Sequence, residues 1–369
     1  MKNHTKDGQS RRQFLGRSAA ALAAASVIPL NFACSGNGAA TAGASAENTP
    51  VDPSKPNSKF NGVQIGTITY SWRSMPSGLE NVIKYCKESN ISSIELMSSD
   101  LEAYMGAPEN PMRRMMRPPA APPAQPQGAP GGQAPAAPAP RPGRQPLTPE
   151  QQAEVDKYNA ELKNWRINLP MSKVEEARKL LNDNGIQAHI VKFSPARWSD
   201  EEIDYAFRAA KAMGAKCVTE EISLEAAQRL APFAEKHDMY VGMHNHMQYA
   251  EEGFSADPIL AVSPAVMLNF DTGHFYGSTG IHPNEMLKKY HDRIYSIHIK
   301  DKTGPTADPA NTNQVWGQGE MPLADVLLLI KQEKWPIYCD IELEYSIAPW
   351  SNAVKEVGTC VKHARQILI

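Results

Sequence analysis

The residues able to do chemistry gather in five short segments, each following an apolar, β-rich run: Thr219-Glu220-Glu221, Met243-His244-Asn245-His246, Asp271-Thr272-Gly273-His274, His298-Ile299-Lys300-Asp301 and Asp340-Ile341-Glu342-Leu343-Glu344. Carboxylates and imidazoles without thiolates suit a divalent cation such as Mn²⁺, Zn²⁺, Co²⁺, Fe²⁺ or Mg²⁺. Such an ion can hold a carbonyl oxygen and the neighbouring hydroxyl oxygen. By stabilising the enediolate it acidifies the carbon-bound proton between them. The reaction also needs a base and an acid, and His244, His246, Glu221 and Glu342 are the candidates. A single strand-end His or Glu reads equally well as a solvated rim or capping residue. Five at equivalent places in succession point instead to one shared site.

The elements that must position these side chains are legible as alternating runs. Eight β-rich stretches, at 63–70, 92–97, 187–193, 216–219, 240–244, 266–270, 294–299 and 337–341, are separated by helical patterns such as 174–184, 200–213, 224–237, 284–290 and 323–333. Gly185 and Gly214 fall where helices close before the next strand. Repeated βα units of this number predict an α/β fold, a (β/α)8 TIM barrel, whose strand C-termini converge on one mouth. No Gly-x-Gly-x-x-Gly follows the first strand, which weighs against a dinucleotide-binding sheet.

The remainder of the 369 residues has other signatures. Ser10, Arg11, Arg12, Gln13, Phe14 and Leu15, followed by the alanine-rich apolar run 19–30, form a twin-arginine export signal, so a periplasmic location is expected. Leu30 to Cys34 resembles a lipoprotein cleavage site, which makes Cys34 a candidate lipid anchor and the only expected membrane attachment. The expected organisation is a leader over 1–34, a flexible linker over 35–58 and a barrel over 59–369. A Pro-, Ala- and Gly-rich tract over 107–146, after the second strand, is expected to be a disordered insertion in the barrel. Cys86, Cys217, Cys339 and Cys360 lack metal-site spacing, and Cys217 and Cys339 read as small buried apolar residues. With 38 basic and 40 acidic residues, the chain carries no electrostatic footprint for nucleic acid.

The Met-His-Asn-His, Asn-Phe-Asp-Thr-Gly-His, Ser-Ile-His-Ile-Lys-Asp, Gly-Gln-Gly-Glu (317–320) and Asp-Ile-Glu-Leu-Glu segments together resemble the xylose isomerase-like TIM barrel superfamily. Its members include sugar phosphate isomerases/epimerases and dehydratases. The resemblance runs from about residue 60 to the C-terminus, outside the Pro-rich tract. It implies that Asp271, His298 and Glu342 are metal ligands on the sixth, seventh and eighth strands. Where the epimerases of that family use a fifth-strand glutamate as ligand and base, this chain has His244. Glu221, from the fourth strand, then becomes the expected remaining carboxylate ligand. Glu220 is the alternative, since strand alternation turns one of the pair inward. His244 or His246 is left as base or ligand, His274 and Lys300 as substrate-binding groups, and Asp301 as a loop anchor.

Glu95, His189 and Lys192 could reach the same mouth or serve as interior and loop contacts. Trp72 and Trp316 could face a sugar ring or pack. The implied activity is a metal-dependent isomerase or epimerase acting through an enediolate on a small-molecule keto-sugar or polyol. The alternatives are a lyase or dehydratase of a keto-sugar and a non-catalytic, exported sugar-binding barrel.

Overall fold

In a computed structural model, residues 52–112 and 147–369 are described. The twin-arginine motif, Cys34 and positions 113–146 of the Pro-rich tract lie outside them.

Eight parallel strands close on themselves: β1 (Val63–Ile68), β2 (Ser93–Met97), β3 (Gln187–Lys192), β4 (Cys217–Glu221), β5 (Tyr240–His244), β6 (Val266–Asp271), β7 (Ile294–Ile299) and β8 (Tyr338–Ile341). Each pairs with the next, and β8 closes the ring on β1 with Tyr338 opposite Gln64. Helices cover the outside, so the strands are buried on both faces and read as nearly unbroken apolar runs. The pair Lys59–Phe60 folds antiparallel onto the start of β1. This is a (β/α)8 barrel.

The helices obey local rules. The helix Asp200–Met213 opens with a capping box between Ser199 and Glu202 and closes on Gly214 at φ 87°. The helix Leu224–His237 is capped by Ser223, whose side chain accepts from Ala226 N. The helix over Pro149–Asn168 was not among those expected from periodicity. It starts at a Thr148/Gln151 capping box, but only Leu162 and Arg166 on it are buried. It docks through a few side chains, Leu162, Trp165 and Arg166, too few to make an apolar stripe.

The strand limits differ from expectation in one respect that matters. β4 runs two residues further, to Glu221, because Glu220 and Glu221 pair with Met243 and His244 on β5. Cross-strand pairing outweighs the low β-propensity of glutamate. The four cysteines of the described barrel, Cys86, Cys217, Cys339 and Cys360, are buried and unpaired.

Candidate active site

Four side chains from consecutive strands meet at the mouth. His244 ends β5, Asp271 ends β6, His298 lies on β7 and Glu342 directly follows β8. One donor atom from each lies within 4.8 Å of all the others, and all four residues are buried. The register sets this up. Asp271 is opposite His298, and Glu342 N donates to Ile299 O at 3.1 Å, so the three ligating positions share one level.

His298 is held from both sides. Its Nε2 lies 2.7 Å from Glu95 Oε2 and its Nδ1 lies 2.9 Å from Glu342 Oε2. Glu95 is itself fixed by Thr219 Oγ1 and Asn269 Nδ2, each at 3.0 Å. Glu95 holds Nε2 while Nδ1 faces Asp271 and Glu342, the carboxylate–histidine pattern that orients metal-binding imidazoles. Burial alone would depress the basicity of His298, but the flanking Glu95 and Glu342 charges outweigh it and hold its pKa well above the usual histidine value.

Asp271 Oδ1 accepts from His274 N at 2.7 Å, which fixes the carboxylate. Its Oδ2 is met by Lys300 Nζ at 2.9 Å, whereas the Nδ1 of His244 is buried with no hydrogen-bond partner. A group of that kind is costly to bury unless something satisfies it. Donors on one ion with bonds of about 2.1 Å stand about 3 Å apart when they meet at right angles, and His298 Nδ1 and Glu342 Oε2 are separated by 2.9 Å. The donor set therefore fits a divalent cation.

A buried lysine shares these oxygens. Lys300 Nζ lies 2.9 Å from Asp271 Oδ2, 2.7 Å from Glu342 Oε2 and 2.6 Å from Glu344 Oε2, with His274 Nε2 at 3.0 Å. Desolvation disfavours the ammonium, yet the three carboxylates prevail and keep it charged. Glu344 is correspondingly pushed down to about 2, against the effect of burial, by His274 and Lys300. The glycine in Asp-Thr-Gly-His is explained here: a Cβ on Gly273 would lie 2.2 Å from Lys300 Cγ and 2.7 Å from Lys300 O. Only a residue without a side chain lets the lysine pass.

Towards solvent lies a second group, Glu221 and His246 with His244. His246 Nε2 is 3.0 Å from Glu221 Oε2, with side-chain exposures of 48% and 45%. Lys192 Nζ takes the other oxygen, Oε1, at 3.4 Å. The hydrogen bond to Glu221 raises the pKa of His246, whereas burial, with the His298 and Lys192 charges, holds His244 well below the usual value and neutral.

The expected ligand set of Glu221, Asp271, His298 and Glu342 is thus redistributed. His244 joins the last three, and Glu221 stands with His246, because its carboxylate turns to His246 and Lys192 on its own side of the rim. Glu220 is occupied elsewhere, accepting from Ala196 N at 2.7 Å and Glu221 N at 2.9 Å. Asp301 anchors the following loop by accepting from Gly317, Gly319 and Met321 N. His189 sits inside the barrel between Ser93 Oγ and Asp340 Oδ2, each at 2.9 Å. Trp72 and Trp316 are 3% and 6% exposed and serve packing. Sequence reasoning gave Glu344 no role and left Glu95 open. Glu95 had a signal, as the one charged residue among apolar neighbours in Ser-Ile-Glu-Leu-Met.

A closed barrel of parallel strands with carboxylates, imidazoles and a lysine at their C-terminal ends defines a class of barrels with the active site at the mouth. Residues 153–362 match the family described as xylose isomerase-like TIM barrel, and the chain belongs to that family. Among similar solved structures is the probable 3-DHS dehydratase AsbF from Bacillus anthracis, with 12% identity and a TM-score of 0.52 over 81% of this chain and 98% of that one. A sugar phosphate isomerase/epimerase from Parabacteroides distasonis has 13% identity and a TM-score of 0.51 over 89% and 100%. D-psicose 3-epimerase from Clostridium cellulolyticum has 10% identity and a TM-score of 0.50 over 83% and 99%. At these identities the likeness is one of fold. No curated protein matches the sequence.

Proposed function

We propose that the protein is a divalent-metal-dependent enzyme that enolises a keto-sugar or a ketone of a cyclic polyol and returns the proton, as an isomerase or epimerase. The observation that carries this reading is the convergence of Asp271, His298 and Glu342 with His244, whose buried Nδ1 has no hydrogen-bond partner. The ion would polarise the carbonyl and its neighbouring hydroxyl. The chain's own groups do the rest. His246, whose Nε2 is held by Glu221 3.0 Å away, accepts the carbon-bound proton at its other ring nitrogen, Nδ1. Lys300, kept cationic, and His274 bind substrate oxygens beside the ion. Lys192 and Lys300 at this mouth already face carboxylates, which favours an unphosphorylated substrate. We further propose export by the twin-arginine route, so that exchange of Arg11 and Arg12 for lysine would retain the protein in the cytoplasm on fractionation.

Elimination is the second reading. It is favoured by the neutral His244, which stands where the resemblance leads one to expect a carboxylate base, and by Lys300, whose ammonium can protonate a leaving group instead of a carbanion. Barrels of similar fold include a D-psicose 3-epimerase and a probable 3-DHS dehydratase, so the fold does not choose between the readings. The test is solvent deuterium incorporation into ketoses, 3-keto-glycosides and inososes by metal-loaded protein, followed by NMR. Exchange that depends on metal supports enolisation, and the product then separates the two readings: a stereoisomer for the first, an unsaturated ketone for the second. Sugar binding with no exchange and no turnover across the panel would contradict both and favour a binding protein.

A further inference from the structure

We infer that Glu221, His246 and His244 form a second, outer cation site, and that an ion there switches the enzyme off. The inference rests on the proposed function, since the outer donors are the groups assigned to proton transfer. Two imidazoles and one carboxylate are a donor set that binds zinc and its neighbours while leaving positions open to water. The geometry is already that of a chelate. His246 Nε2 and Glu221 Oε2 are 3.0 Å apart, about the spacing of adjacent ligands on one ion. Lys192 bonds Oε1 of Glu221, and the partner of Oε2 is His246 itself, so an ion between the two would replace that contact without disturbing Lys192. The third donor is His244, 3% exposed, whose Nδ1 has no partner.

A neutral imidazole serves one ion at a time. His244 lies between the groups, its ring 5.0 Å from that of His246 and 4.7 Å from that of His298. An outer ion therefore draws His244 away from the inner set and turns His246 from proton acceptor into ligand. Both changes oppose the reaction. Because its donors are half-exposed, the outer site binds more weakly than the buried one and fills only at higher metal concentration.

The test is a Mn²⁺ titration of the metal-free full-length chain by calorimetry, with bound metal also counted by electron paramagnetic resonance. Wild type is expected to take two ions in two steps, with turnover rising over the first and falling at least tenfold over the second. Glu221→Gln/His246→Gln should take only the inner ion, and Asp271→Asn/Glu342→Gln only the outer one. Saturation of wild type at one ion, or two ions persisting in the Glu221/His246 variant, overturns the outer site and leaves the proposed function standing. Failure to bind any ion overturns both.

Discussion

Glu95 shows how much of this site depends on a side chain that touches no substrate. Its Oε2 fixes one edge of His298, and Thr219 and Asn269 fix Glu95 in turn. Glu95→Gln should weaken metal binding by roughly 10–100-fold with the fold intact, read by calorimetry alongside circular dichroism. A second expectation follows from the two carboxylates on His298. They raise its pKa, so the metal-free ring is protonated at neutral pH, and an ion on Nδ1 must displace one proton. Metal affinity should therefore fall as pH drops below that raised value. Loading at neutral pH should release about one proton, measurable in buffers of different ionisation enthalpy. The types of Asp271, His298 and Glu342 were legible because each ends an apolar run. The allegiance of Glu221 was not, because a long carboxylate on a correctly placed strand can still turn along the rim towards His246 and Lys192.

At the scale of elements, the strands were readable because burial on both faces leaves long apolar runs. The helix Pro149–Asn168 was not, because an ion pair and only two apolar side chains, Leu162 and Trp165, dock it. Arg166 Nε is 2.8 Å from Glu102 Oε1, its Nη1 is 3.2 Å from Glu202 Oε1, and its guanidinium lies 3.7 Å from the Trp198 ring centroid. Arg166→Ala leaves Glu102 buried without its partner and should cost about 3–5 kcal/mol in denaturant unfolding. Gly273→Ala acts on the site instead. The added methyl meets both the Lys300 side chain and its backbone carbonyl, so kcat and unfolding stability should both fall. Unchanged kcat in the folded variant would mean that the glycine serves packing alone.

The whole molecule joins a rigid barrel to a mouth in which many charges are buried close together. An ion that binds the folded mouth and not the unfolded chain stabilises the fold by mass action, so loading should raise stability as well as enable chemistry. At a thousandfold excess over Kd a ligand adds about 4 kcal/mol, which for a barrel of this size corresponds to a rise in Tm of roughly 5–10 °C. A chelator should reverse it. Closure of the ring and the single active mouth follow from eight βα units, and the sequence shows these as a count of alternating runs. Which donors share an ion depends on side-chain directions at the rim, and no periodicity encodes those.

The central claim is that Asp271, His298 and Glu342 share one divalent cation. Anomalous scattering from crystals grown with a low concentration of Mn²⁺ tests it most directly. The account predicts one strong peak within about 2.0–2.3 Å of an oxygen of Asp271, Nδ1 of His298 and an oxygen of Glu342. A peak remote from these three atoms, or none while Lys300 keeps both carboxylates, would contradict it.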